Sequence, residues 1–111
     1  MSEITLMTSS TRTAVCCLSS LNLEKYEDWK DTNLVQDIVR LLDNVLEYFI
    51  VLAPSTLKRA VHSAIKERAV GLGTLGFHSF LQSKGIAFES GGFNSASQYS
   101  DLLYRKIKER A

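Results

Sequence analysis

The sequence predicts a mainly α-helical chain with one or two short strands. Apolar residues recur at intervals of three and four over several segments, which is the period of one helix face. Helix-start residues precede these segments, and proline or glycine follows them. One segment near the N-terminus instead combines β-branched and small apolar residues without that period. We therefore expect strand and loop over residues 1–31 and a helical region over residues 32–111.

The predicted strand covers Thr13 to Leu18 and follows a polar turn at residues 9–12. A polar linker, Glu24 to Asp31, comes next and contains the single tryptophan, Trp29. The linker has no apolar periodicity, so the first helix is expected to start after it.

The longest predicted helix begins at Thr32 or Asn33, and Pro54 ends it. Its main apolar stripe consists of Val35, Ile38, Val39, Leu42, Val45, Leu46 and Phe49. Four more apolar residues, Leu34, Leu41, Tyr48 and Leu52, extend this stripe nearly all round the helix. A helix that is apolar on several sides is normally covered on several sides, which requires more protein than a helical hairpin.

A second helix is predicted to be capped by Ser55 and to keep Lys58, Arg59, Lys66 and Glu67 in water. Its buried face is expected to contain Leu57, Val61, Ala64 and Ile65. A third helix should end at Gly85, because a left-handed residue is favoured just after a helix C-terminus. The last helix should begin near Asn94 or Ser95, with Gln98 in the capping-box position relative to Ser95.

The composition excludes several classes of protein. With 45% hydrophobic and 23% charged residues, the chain is not expected to be disordered. Thirteen Lys and Arg against twelve Asp and Glu give a net charge of +1, which provides no field to attract nucleic acid. The longest apolar run, Tyr48 to Ala53, is far shorter than the roughly 20 residues of a membrane span. The N-terminus shows no secretory signal, so we expect a soluble, cytoplasmic protein with no nucleic-acid or membrane partner.

Residues 71–76, Gly-Leu-Gly-Thr-Leu-Gly, match the dinucleotide-binding pattern G-x-G-x-x-G. The preceding residues have helical spacing, and the nearest downstream acid, Glu89, is too close for the usual ribose contact. Close packing at a strand-to-helix turn is the preferred interpretation.

His62 and His78 lack a partner at helical metal-site spacing, so no metal site is expected. The adjacent Cys16 and Cys17 are either buried small side chains or redox thiols whose partner lies elsewhere.

Three ordered motifs resemble the catalytic barrel of the class I ribonucleotide reductase large (alpha) subunit. They are Ser-Glu-Ile at residues 2–4, Ala-Val-Cys-Cys-Leu-Ser-Ser-Leu-Asn-Leu at residues 14–23, and Glu-Arg-Ala-Val-Gly-Leu-Gly-Thr-Leu-Gly-Phe-His at residues 67–78. The resemblance runs the whole chain and implies a fragment of a ten-stranded α/β barrel, with residues 1–111 forming part of the barrel domain. Under it, the glycines of residues 71–76 are packing glycines.

The resemblance also implies roles for two residues. In the family, a loop of the form Asn-Leu-Cys-x-Glu-Ile contains the radical cysteine and a glutamate that acts as the base on the ribose 3′-hydroxyl. Glu3 matches that glutamate, and Met1 stands where the family has the radical cysteine. Cys16 matches one of the two cysteines that supply reducing equivalents. Since a thioether has no S–H to lose, we expect an internal piece of the subunit, from a split, truncated or internally started gene, that is inactive alone.

The implied partners are the remaining parts of the large subunit, a small radical-generating subunit, a ribonucleoside diphosphate substrate, and thioredoxin or glutaredoxin. No cofactor is expected in this chain, since the family takes its radical from a metal-containing small subunit and binds allosteric nucleotides elsewhere. The rival hypothesis is a non-catalytic remnant that persists as a small helical interaction or assembly module.

Overall fold

The protein is mostly helical, with two short parallel strands. The structure is a computed structural model and describes residues 5–92 and 95–111. Its elements are, in order, β1 (Cys17–Asn22), α1 (Tyr26–Trp29), α2 (Leu34–Leu52), α3 (Lys58–Glu67), β2 (Val70–Leu75), α4 (Phe77–Ser83) and α5 (Ala96–Arg110). Short 3-10 turns at Leu23–Lys25 and Ser55–Leu57 precede α1 and α3. The prediction of a mainly helical chain with one or two strands is confirmed.

Within the described residues, β1 and β2 form a two-stranded parallel sheet that does not close into a barrel. The strand predicted at Thr13 to Leu18 overlaps β1 only at Cys17 and Leu18, because β1 begins at Cys17 and continues through Asn22. β2 lies in the segment predicted to be helical. A strand is defined by the neighbour it pairs with, and neither the register of β1 nor the existence of β2 is a local property of the sequence.

The chain divides into two compact units. The first contains the described residues up to Ser19 together with Ile38–Gly73, and the second contains Ser20–Asp37 together with the described residues of Thr74–Ala111. In the first unit, Leu42 and Leu46 of α2 and Ala60 and Ala64 of α3 are buried.

The long helix α2 begins and ends where the sequence predicts. Leu34 is its first residue, and the Leu34 N–H donates to the Thr32 Oγ1 at 3.3 Å. Its last residue, Leu52, lies two residues before Pro54. The cap predicted at Ser55 is wrong, since Ser55 begins a 3-10 turn and Leu57 occupies the N-cap of α3.

The buried face of α3 also differs from the prediction. It consists of small residues, Ala60, Ser63 and Ala64. Leu57 and Ile65, which were expected to be buried, are 42% and 56% exposed. The segment is therefore helical as predicted, but the side of α3 that is buried is the one with the small residues and not the one with Leu57 and Ile65. Small side chains allow a neighbouring backbone to approach closely.

In the second unit, the residues predicted to form a polar linker are helical and hold an aromatic cluster. Tyr26 packs edge to face on Trp29 and on Phe80, with ring centroids 5.1 and 6.0 Å apart. The Trp29 indole N–H donates to the Asn22 carbonyl at 3.0 Å. Phe80 also contacts the Tyr99 ring at 5.7 Å. Aromatic contacts distant in sequence therefore fold this segment, which local polarity alone predicts to be loop.

The ends of α4 and α5 follow the predicted capping rules. Gly85 has φ +69°, its N–H donates to the Gln82 carbonyl, and the next N–H, from Ile86, donates to the Leu81 carbonyl. This is the hydrogen-bond pattern of a glycine-terminated helix. Ser95 is the N-cap of α5, and its Oγ accepts a hydrogen bond from the Gln98 N–H at 3.3 Å. The alternative start at Asn94 lies outside the described residues.

Candidate active site at the start of the first strand

Cys16 lies directly before β1, at the end of a segment that hydrogen bonds tie to α3. The Thr13 N–H donates to the Arg59 carbonyl oxygen at 3.3 Å. The Arg59 guanidinium donates to the Ser10 carbonyl oxygen, also at 3.3 Å. The first turn of α3 therefore holds the backbone that leads into the strand.

A second connection between this segment and α3 is the ion pair between Arg12 and Glu67, whose Nη1 and Oε1 atoms are 3.3 Å apart. The Glu67 side chain is only 20% exposed, so the prediction that it stays in water is wrong. Its other oxygen, Oε2, is buried, and so is the Ser63 Oγ one turn earlier. Neither atom has a hydrogen-bond partner among the described residues. The sequence pattern of α3 contains no sign of Arg12, which is why this pairing was missed.

The Cys16 thiol is half-buried. Its Sγ–H donates to the backbone carbonyl oxygen of Cys17 at 3.5 Å. Burial raises the pKa of Cys16, and the neighbouring Cys17 raises it further. Because the thiolate is the nucleophilic form of cysteine, this environment lowers the reactivity of Cys16 toward electrophiles.

The alternation of side chains along β1 assigns the two thiols to opposite faces of the strand. Successive side chains alternate along β1, so Cys17 shares a face with Leu21, which is 1% exposed. The other face contains Leu18, which is 50% exposed. Extending the alternation back by one residue places Cys16 on the Leu18 face, the one less covered by this chain.

Glu3, the other predicted site residue, lies outside the described residues. The predicted role of Glu3 therefore stays a prediction.

The glycine-rich segment forms a strand. Gly71 and Gly73 are buried within β2, on one face, and Gly76 directly precedes α4. Gly76 has φ +76°, and a Cβ at this position would lie 2.5 Å from the Asn22 Oδ1. Since two of the three glycines belong to a hydrogen-bonded strand, they do not form the phosphate-binding loop that the G-x-G-x-x-G pattern describes. The interpretation as packing glycines fits this placement.

Arg68 was not singled out by the sequence pattern, although it joins α2 to the start of β2. Its backbone is left-handed, with φ +44°. The guanidinium donates from Nε to the Asp43 Oδ1 at 2.9 Å and from Nη1 to the Glu47 Oε2 at 2.7 Å. These hydrogen bonds raise the pKa of Arg68. The sequence signal for this pairing is the spacing of Asp43 and Glu47, which lie one helical turn apart on α2, so that both carboxylates can accept hydrogen bonds from one guanidinium.

The second unit contains a groove of about 380 Å³. Tyr26, Trp29, Lys30 and Arg110 are among its lining residues. Two of its cations make contacts within the unit, since Lys30 pairs with Glu27 and the Arg110 guanidinium donates to the Thr32 carbonyl oxygen at 2.8 Å. We assign no ligand to this groove.

Across the part of the chain that the structure describes, no three His, Cys, Asp or Glu side chains cluster closely enough to hold a metal ion. Among the same residues, no helix is both long enough and apolar enough to span a membrane.

Comparison with known proteins identifies relatives over the whole chain. The large subunit of ribonucleoside-diphosphate reductase from Invertebrate iridescent virus 6 is 54% identical over 110 residues, which are 98% of this chain and 11% of that protein. The corresponding protein of Invertebrate iridescent virus 3 is 59% identical over 80% of this chain and 14% of its own length. The chain therefore spans only a small part of the relatives it matches.

A solved structure is similar in fold as well as in sequence. The class Id ribonucleotide reductase alpha subunit of Actinobacillus ureae superimposes with a TM-score of 0.84 and 40% identity, over 95% of this chain and 20% of that subunit. The family model of the ribonucleotide reductase barrel domain matches residues 2–110. This near-complete match, together with the shared fold, shows that the chain belongs to the ribonucleotide reductase barrel-domain family.

Proposed function

We propose that this chain is a segment of a ribonucleoside-diphosphate reductase large subunit and acts only together with the remaining parts of that subunit. The observation that supports this most strongly is the family match over residues 2–110, while the chain accounts for only 11% of a relative with 54% identity. The proposed reaction replaces the 2′-hydroxyl of a ribonucleoside diphosphate with hydrogen and supplies deoxyribonucleotides for DNA synthesis.

Cys16 is proposed as one half of the reducing dithiol. Two thiols become one disulfide in this step and give up two electrons and two protons. The 2′-hydroxyl leaves as water, and a hydrogen takes its place on the same carbon. A protonated thiol suits this role, and burial favours that form because it raises the pKa of Cys16.

The position of Cys16 supports the same assignment. The Leu18 face of β1 is the less covered face in this chain, and in a closed ten-stranded barrel it would form part of the interior. Cys16 belongs to that face by alternation, whereas Cys17 belongs to the covered face. The partner of Cys16 is assigned to another segment of the subunit, since the only other cysteine in the chain is its neighbour Cys17.

Glu3 is proposed as the base that takes the proton of the ribose 3′-hydroxyl. Its support is the match of Ser-Glu-Ile at residues 2–4 to the family loop, within the range of the family model. The radical that begins the reaction is supplied by a metal-containing small subunit, and thioredoxin or glutaredoxin then reduces the disulfide in the cytoplasm.

The proposal is tested by asking whether the chain binds the rest of a large subunit. We define the gapped subunit as the Invertebrate iridescent virus 6 large subunit expressed without the 110 residues that this chain matches. Co-expression should yield a stoichiometric complex that survives size-exclusion chromatography. The control is the intact viral subunit, whose own segment fills the gap and should exclude the chain. Failure to bind the gapped subunit, or equal binding to both, would favour a non-catalytic remnant.

A further inference from the structure

The backbone that leads to Cys16 is held by contacts other than sheet hydrogen bonds. The strand β1 begins at Cys17, and residues 12–16 belong to no helix or strand. The position of the Cys16 thiol therefore depends on what holds the segment before it. This position matters for the proposed chemistry, because a disulfide forms only when two sulfur atoms can come within about 2 Å and the two Cα atoms within about 4.4–6.8 Å.

Two contacts attach this segment to opposite ends of α3. Near the start of the helix, the Thr13 N–H donates to the Arg59 carbonyl oxygen at 3.3 Å. At its last residue, the Glu67 Oε1 lies 3.3 Å from the Arg12 Nη1. Arg59 and Glu67 are eight positions apart in α3, which corresponds to about 12 Å along a helix axis. Two contacts so far apart fix the direction of the segment as well as its position, whereas one alone would let it pivot.

Glu67 lies on the buried face of α3, where a carboxylate is costly. It follows Ala60, Ser63 and Ala64 at the spacing of one helix face, and its side chain is 20% exposed. The Glu67 Oε2 and the Ser63 Oγ are buried without a hydrogen-bond partner among the described residues. Unpartnered buried oxygens oppose folding, and desolvation offsets much of the attraction in an ion pair that is withdrawn from water. Stability therefore does not explain this pair, but a defined position for Arg12 does.

The next residue, Arg68, provides a comparison at the same end of α3. It pairs with Asp43 and Glu47 of α2, and the three side chains are between 43% and 53% exposed. These ion pairs are in contact with water and connect α3 to α2. Of the two neighbouring residues, it is Glu67 whose ion pair reaches the segment that leads to Cys16.

We propose that Glu67 is a positioning residue for Cys16. By holding Arg12, it fixes the backbone four residues before the thiol and so places Cys16 for disulfide formation with its partner. This inference rests on the proposed function, in which Cys16 is one half of the reducing dithiol. Glu67 acts through Arg12 and takes no part in the chemistry itself. Because a displacement of about 1 Å can slow an enzymatic step about 100-fold, release of this contact should slow turnover without weakening the binding of substrate.

The first test measures turnover of a ribonucleoside diphosphate by the chain in complex with the gapped subunit, with a matching small subunit and a dithiol. Glu67→Gln keeps the size of the side chain and removes its charge. We expect kcat to fall about tenfold and the KM for the diphosphate to stay unchanged. Arg12→Gln should give the same loss, and the double variant no more than either, because both substitutions break one pair. The matched control is Glu47→Gln, which removes one charge from the exposed ion pairs of Arg68 and should leave kcat unchanged.

A second measurement follows the position of Cys16 without turnover. In a Cys17→Ser background at fixed pH, iodoacetamide should alkylate Cys16 severalfold faster when Glu67→Gln is added, because a loosened segment exposes the half-buried thiol. Glu47→Gln is again the control and should leave the rate unchanged. Thermal unfolding checks that each variant folds. If Glu67→Gln does not fold, Arg12→Gln carries both measurements, since the Arg12 side chain is the more exposed of the pair.

The outcomes separate this inference from the proposed function. An alkylation rate unchanged by breaking the pair, or a raised rate with kcat unchanged, would overturn the inference and leave the proposed function standing. Equal effects of Glu67→Gln and Glu47→Gln would indicate a general loss of stability and would overturn it as well. If the unchanged chain and the gapped subunit assemble but give no turnover, the proposed function is contradicted, and the role of Glu67 in turnover with it.

Discussion

Cys16 and Cys17 are adjacent in the sequence but belong to opposite faces of β1. Cys17 shares the face of the buried Leu21, and Cys16 falls on the face of the half-exposed Leu18. The sequence alone left open whether these cysteines are buried fillers or redox thiols. Both thiols are half-buried, so it is the alternation along the strand that separates them and assigns the proposed chemistry to Cys16.

The raised pKa of Cys16 predicts slow alkylation. In a Cys17→Ser background, where burial still disfavours the thiolate, the rate of reaction with iodoacetamide should rise at a higher pH in the folded chain than in the same chain unfolded in urea. The direction follows because a higher pKa leaves less thiolate at any given pH. A folded-state midpoint at or below the unfolded one would show that Cys16 is not desolvated.

Substitution of each cysteine separates chemistry from packing. In the complex with the gapped subunit, Cys16→Ser should abolish multiple turnovers driven by a dithiol, because no disulfide can form at that position. Cys17→Ser should retain turnover and cost less stability than the about 1–3 kcal/mol of a fully buried hydroxyl without a partner, since Cys17 is only half-buried. Turnover and the urea midpoint of unfolding are the two measurements. Equal loss of turnover from both substitutions, with folding intact, would contradict the assignment of faces.

The helices with strong local signals were predictable, and the segments that depend on distant partners were not. The limits of α2, the cap at Ser95 and the glycine after α4 follow from residues within a few positions of each helix end. The register of β1 depends on pairing with β2, some fifty residues away. The helical segment around Trp29 packs on Phe80 through the Tyr26 ring, and the largely buried Glu67 is paired with Arg12. The spacing of apolar residues along one segment contains no information about contacts with residues so distant in the sequence.

A series of glycine substitutions tests the connection between β2 and α4. Gly76→Ala should destabilise the chain most, because the backbone has φ +76° and the new Cβ would meet the Asn22 Oδ1 at 2.5 Å. Gly85→Ala, with φ +69° and open space around it, should cost only the left-handed backbone, roughly 1–2 kcal/mol. Gly91→Ala, with open space and no such φ, is the control and should change stability by less than about 1 kcal/mol. Urea midpoints rank the three, and an equal effect at Gly76 and Gly91 would contradict the close approach.

The whole chain has the surfaces of a part rather than of a complete enzyme. Its sheet, within the described residues, has two strands, and large apolar side chains on α2 face outward. The family could be inferred from three short motifs, because their order and residue types are specific, and the match over residues 2–110 confirms it. The exposed side of α2 was only partly predictable: Leu41, Tyr48 and Leu52 lie outside the main apolar stripe and are exposed, but Val45 lies within that stripe and is 47% exposed.

The central claim is that this chain completes a reductase large subunit and has no activity by itself. The most direct measurement is the formation of deoxyribonucleotide from a ribonucleoside diphosphate, with a matching radical-generating small subunit and a dithiol, in three samples: the chain, the gapped subunit, and both together. The chain has two cysteines, which are neighbours, whereas the proposed chemistry needs a radical cysteine besides a reducing pair. We therefore predict product only from the mixture, and its loss when Glu3→Gln replaces the proposed base. Turnover by the chain alone, or no turnover from a mixture shown to have assembled, would contradict the account.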